Sequence, residues 1–166
     1  MRLFLAFDFS NPIFIQLHRL LKTEAAALSF THSYHLTLKF FPDADPDKII
    51  SKLQGISYPK MIFSTSRIGV FPEKGPVKVI WLGIEESQPL LLLQREIEAR
   101  LGKNDLDFHP HITLARVSHV FDTRVLWTGL SNILVEKTRL EPGPLTLFRS
   151  ELLPGGPAYS PISYFN

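Results

Sequence analysis

The chain has 166 residues, 45% hydrophobic and 20% charged, which suffices for one domain with a sizeable core and argues against a disordered chain. With no cysteine it has neither disulfides nor thiolate ligands, and it fits a reducing compartment. A formal net charge of +2 is too small for a broad nucleic-acid-coating surface, yet it suits a small phosphate-bearing substrate or an RNA end.

No apolar run reaches the length of a membrane span, and residues 2–8 read as a buried strand rather than a leader, so a cytoplasmic protein is expected. Asn11-Pro12 then opens a helix, and Ile13, Leu17, Leu20, Leu21 and Leu28 carry helical spacing to about residue 28. A loop leads to a strand over 34–41, stopped by Pro42. Asp45-Pro46 caps a short helix that turns Ile49, Ile50 and Leu53 inward and ends at Gly55. Residues 60–71 and 77–84 form two strands joined by Pro72-Glu73-Lys74-Gly75-Pro76, a hairpin-like connection. Ser87-Gln88-Pro89 starts a helix with Leu90, Leu93, Ile97 and Leu101 on one side and Gly102 at its end. A strand over 110–117, a short helix over 122–131 and strands near 133–139, 144–152 and 158–165 complete the chain. Each half places a helix before an alternating strand, with hairpin material around it. This order predicts an α+β protein: two antiparallel-rich sheets, helices outside, and two lobes of one compact unit over residues 1–166.

One phrase occurs twice: His35-Leu36-Thr37-Leu38 and His111-Ile112-Thr113-Leu114. In a strand the side chains alternate, so the aliphatic pair packs inward while His and Thr face the other way. A lone strand histidine is most often structural. The repetition favours function, because a purely structural duplication would keep the aliphatic pair and let the polar positions drift. Two imidazoles on one reacting centre can divide acid and base work near neutral pH, and two threonine hydroxyls can hold non-bridging oxygens. A phosphodiester suits this equipment. Metal ligation is the chemical rival, since His109 and His32 lie close to the pair in sequence. Pro110 places His109 in the loop before the strand, and no carboxylate cluster accompanies the histidines, so neither metal nor cofactor is expected.

The double motif, extended as His35-Leu36-Thr37-Leu38-Lys39-Phe40 and Pro110-His111-Ile112-Thr113-Leu114-Ala115-Arg116, resembles the signature of the two-histidine phosphoesterase superfamily. It is most similar to the RNA 2′,3′-cyclic phosphodiesterases, also called 2′-5′ RNA ligase-like proteins. Arg2-Leu3-Phe4-Leu5-Ala6, Gly69-Val70-Phe71-Pro72, Val79-Ile80-Trp81-Leu82-Gly83 and Gly156-Pro157-Ala158-Tyr159 carry the similarity across nearly the whole chain. The resemblance implies a bilobal fold with pseudo-two-fold related lobes around a central cleft. It also implies metal-independent opening of a 2′,3′-cyclic phosphate to a 2′-phosphomonoester, with His35 as proton donor, His111 as proton acceptor, and Thr37 and Thr113 on the phosphate. The implied partners are RNA 3′ ends or nucleotides bearing the cyclic phosphate, tRNA fragments among them, with no membrane, and a monomer is expected. A 2′-5′ RNA ligase or a non-catalytic RNA-binding module are the alternatives.

Lys39 shares parity with His35 and Thr37 and is expected to approach the groove. Arg116 lacks parity with His111 and reaches phosphate only by curling round the strand end or across a bulge. Phe71, Trp81 and Tyr159 are further candidates, for stacking a base.

Overall fold

The computed structural model describes residues 1–166. Its elements run β1 (Leu3–Phe9), α1 (Ile13–Leu21), β2 (Ala26–Phe30), β3 (Tyr34–Phe41), α2 (Pro46–Leu53), β4 (Phe63–Phe71), β5 (Val79–Ile84), α3 (Gln88–Leu101), β6 (His111–Val120), α4 (Thr123–Ser131), β7 (Arg139–Leu140), β8 (Leu145–Leu153) and β9 (Gly156–Phe165). The expected α+β architecture stands, with four helices and an antiparallel set of nine strands.

The two sheets turn out to be halves of one. The order is β7-β4-β5-β6-β3-β1-β8-β9, with β2 also paired to β6. The halves join where β3 meets β6, at one register pair, Leu36 opposite Ile112. Elsewhere the ladders are long: β1 pairs with β3 from Leu3↔Phe41 to Phe9↔Tyr34, and β5 with β6 from Val79↔Arg116 to Gly83↔His111. Each motif strand is thus anchored firmly in its own half and touches the other half near its start.

All four helices cover one face. Ile13, Phe14 and Leu17 of α1, Ile49 and Leu53 of α2, Leu90, Leu93 and Ile97 of α3, and Leu126 and Leu130 of α4 share one core with Leu36 and Ile112. Capping follows the sequence. Val125 N–H donates to Asp122 Oδ1 at 3.0 Å, Asp47 N–H to Asp45 Oδ1 at 3.0 Å, and α3 stops where Gly102 takes a φ of 90°. No helix is long and apolar enough to cross a membrane.

Two elements differ from the sequence pattern. The helix expected to reach residue 28 ends at Leu21, and residues 26–30 form β2 instead. Leu28 fits a helical face equally well, but pairing with the free edge of β6, from Ala26↔Val120 to Phe30↔Ala115, satisfies the backbone and overrides local pattern. The strand expected near 133–139 shrinks to Arg139–Leu140, because β4 offers it only the partners Ser64 and Phe63.

Candidate active site

Leu36 and Ile112 are fully buried in the core beneath the helices, so their neighbours in sequence point to the opposite, helix-free face. Antiparallel continuation from the Leu36↔Ile112 pair sets His35 beside Thr113 and Thr37 beside His111. The four side chains that the repeated phrase singles out therefore gather on one surface about a local two-fold axis. All four are half-buried.

Aromatic walls stand on both sides. Around His35 the ring centroids of Phe4, Phe148 and Tyr159 lie at 5.2, 4.8 and 5.3 Å, each edge-on. Around His111, Phe71 lies at 5.0 Å and Trp81 at 5.9 Å. The three aromatics proposed from sequence thus all border a histidine. Trp81 lies against the α-carbon of Gly69, where a β-carbon would overlap its six-membered ring, and the Arg67 guanidinium sits 5.1 Å from its centre. The second wall needs a glycine in β4.

Burial lowers both imidazole pKa values. It pushes His35 down to about 4, against a smaller upward pull from the Asp8 carboxylate. For His111, burial again lowers the value, partly offset by a bond to the His109 carbonyl, with His109 itself adding a small further lowering. That bond, from Nδ1–H to the His109 oxygen at 2.6 Å, places the ring proton on Nδ1 and leaves the Nε2 lone pair free.

Of the two basic candidates, one leaves the groove and the other keeps it. Lys39, expected at the groove, is turned to the helix side, because β3 bulges at Leu38. Ala6 pairs with Thr37, but Leu5 already pairs with Lys39, so the extra residue reverses the alternation. Lys39 Nζ is buried and donates to Gly102 O at 2.9 Å, Lys103 O at 3.2 Å and Asn104 Oδ1 at 3.0 Å. It ties β3 to the end of α3. Arg116 moves the other way. β6 bulges at Leu114, since Trp81 pairs with Thr113 and Ile80 with Ala115, and the reversed parity brings Arg116 onto the face of His111 and Thr113. There it is exposed, opposite Val79. The bulges occupy matching positions in the two repeats, so Phe40 holds in β3 the place that Arg116 holds in β6. The Arg2 guanidinium lies over the Phe40 ring at 4.6 Å.

Reading residues 2–8 as one buried strand hides half of the His35 environment. Leu3, Leu5 and Phe7 belong to the large core, whereas Phe4 and Ala6 pack with Phe148 in a separate cluster on the other face. Asp8 falls on that face too, as the register partner of His35. The alternation of Arg2, Phe4, Ala6 and Asp8 is the signal in the sequence, an acid following apolar residues on a strand side that the helices do not cover.

Comparison with known proteins agrees with this architecture. Residues 12–149 match the model of the 2′-5′ RNA ligase superfamily. The chain is 29% identical to an RNA 2′,3′-cyclic phosphodiesterase of Methanothermobacter thermautotrophicus over 99% of its own length and 97% of the relative's. It is 31% identical to one of Aquifex aeolicus, covering 79% of this chain and 76% of that one. Among solved structures, E. coli LigT complexed with 3′-AMP superposes with a TM-score of 0.75 at 21% identity, covering 99% of this chain and 96% of that one. The chain belongs to the 2′-5′ RNA ligase superfamily, the two-histidine phosphoesterases.

Proposed function

We propose that the protein is a metal-independent RNA 2′,3′-cyclic phosphodiesterase, acting as a monomer in the cytoplasm through one catalytic domain, residues 1–166. The observation that carries this reading is the gathering of His35, Thr37, His111 and Thr113 on one helix-free face about the Leu36↔Ile112 pair. Relatives named RNA 2′,3′-cyclic phosphodiesterase, matched over nearly the full chain, support the substrate class.

The cyclic phosphate sits over the four side chains, its non-bridging oxygens accepting from the Thr37 and Thr113 hydroxyls and from Arg116. The Nε2 lone pair of His111 takes a proton from water as the water oxygen attacks phosphorus. The bond from phosphorus to the 3′ oxygen breaks, and His35 protonates that oxygen as it departs. One P–O bond forms and one is lost, leaving a 2′-phosphomonoester and a 3′-hydroxyl. The donors aimed at the phosphoryl oxygens stabilise the charge that grows in the transition state. Replacing water by the 5′-hydroxyl of a second RNA end and running the same proton transfers yields a 2′-5′ linkage, which is the ligase alternative.

Incubation with a 2′,3′-cyclic nucleotide and with an RNA carrying that end, each with and without EDTA, tests the proposal. A 2′-phosphate product formed equally with chelator supports it. Activity lost in EDTA, or binding without turnover, overturns it in favour of metal catalysis or of a binding module. A 2′-5′ joined product from paired RNA ends would identify the ligase.

A further inference from the structure

The two half-sites match in their histidines, threonines and bulges, but not in the residue lying across the ladder from each imidazole. Asp8 of β1 stands opposite His35, and Gly83 of β5 stands opposite His111. Cross-strand partners share a face and lie close enough to interact. Gly143, just before β8, confines this carboxylate. Its N–H donates to the Asp8 carbonyl at 2.9 Å, and a β-carbon there would collide with Asp8 Oδ1. Gly143 does not take a positive φ, so space rather than backbone conformation is what asks for glycine.

His111 has the complementary arrangement. Its Nδ1–H is held by a neutral carbonyl and no carboxylate lies opposite, a setting for an imidazole that works unprotonated. His35 faces the reverse demand, because a proton donor must reach the transition state charged while surrounded by three aromatic rings. The charged or titratable groups on its side are Asp8 of β1 and Arg2 just before that strand, Tyr159 and Tyr164 of β9, and His111 and Arg116 of β6, while β8 contributes Phe148. Asp8 is the one carboxylate among them.

Resting on the cyclic-phosphate reading above, we infer that Asp8 is a positioning residue that favours the imidazolium of His35 and so assigns the donor role to that histidine. The Asp8/Gly83 difference, with the bond from His111 to the His109 carbonyl, gives the two histidines their separate tasks. The upward pull of Asp8 on His35 agrees with this.

NMR titration of the two imidazoles in the wild-type protein, Asp8→Asn and Gly143→Ala, together with the pH dependence of kcat on a 2′,3′-cyclic nucleotide, tests the inference. Asp8→Asn removes the charge at nearly constant shape, and Gly143→Ala displaces the carboxylate without removing it. In both, the His35 midpoint is expected to move to lower pH while that of His111 stays. At pH 7, kcat should fall by ~3- to 10-fold with KM within ~2-fold, and the limb assigned to the donor should shift toward acid. A His35 midpoint equal to wild type in Asp8→Asn, or an unmoved kcat profile in an enzyme that turns over, overturns the role of Asp8. Absence of wild-type turnover overturns the cyclic-phosphate reading instead, and the donor assignment with it. The NMR midpoints then still report whether the Asp8 charge reaches His35.

Discussion

His35 and His111 are half-buried imidazoles, and the proposed function gives each a measurable behaviour. His35→Ala and His111→Ala should each lower turnover by ~10²-fold or more, as loss of a general acid or base requires, with circular dichroism unchanged. Full turnover in either variant would remove that residue from the mechanism. Thr37→Val or Thr113→Val should lower kcat by ~10- to 100-fold, since each removes one donor from the developing phosphoryl charge. Both imidazoles are held below 6.5 by burial, so an anion entering the groove raises them again. Sulfate, whose charge is constant over the range, should therefore bind more tightly at pH 5 than at pH 7. Calorimetric titration showing equal affinity at the two values would contradict an anion lying between the histidines.

At the scale of elements, the helix-free face depends on strands whose alternation is interrupted once per motif. The repeated phrase and the inward faces of α2 and α3 were legible in the sequence from spacings of 2 and 3.6, and their caps from Asp45 and Ser87. The bulges at Leu38 and Leu114 were not. They arise from how each motif strand meets its neighbour across the ladder, and a pattern within one strand contains no record of that partner. Lys39 was misplaced for this reason, whereas Arg116, which needed a strand end or a bulge to reach the groove, is brought to the His111 face by the bulge at Leu114. Asp8 was overlooked because its importance lies in standing across from His35, a relation between strands separated by α1 and β2. Gly69, against the ring of Trp81, is similarly a matter of close approach. Gly69→Ala should cost ~1–3 kcal/mol in urea denaturation by driving a methyl into the Trp81 ring, and it should reduce turnover as the wall shifts. Gly129→Ala, in open space within α4, should instead stabilise by ~0.5–1 kcal/mol. Equal stability of the two variants would show that Trp81 can move aside freely.

The whole molecule carries the titration of its site into its stability. In the unfolded chain His35 titrates near 6.5, whereas in the folded protein burial holds it at about 4. As pH falls from 6.5, the unfolded state takes up a proton before the folded state does. Stability that is complete above 6.5 is therefore lost progressively down to about 4. His111, also lowered, adds to the decline. Thermal midpoints measured across this range should drop with acid, and His35→Gln should flatten the slope. An identical slope in that variant would place the pH sensitivity elsewhere.

If the protein opens a cyclic phosphate as proposed, the near-symmetry about Leu36 and Ile112 bears on regiochemistry too. A five-membered cyclic phosphate is itself almost a mirror of its own two ester oxygens, and a groove with equivalent ends would accept it in either sense. Entered back to front, the ring would open at the 2′ position and release the isomeric 3′-phosphate. The mismatch between Phe40 at one end and Arg116 at the other gives the groove a head and a tail. On the proposed reading, the nucleoside would then be received one way round and a single isomer would leave.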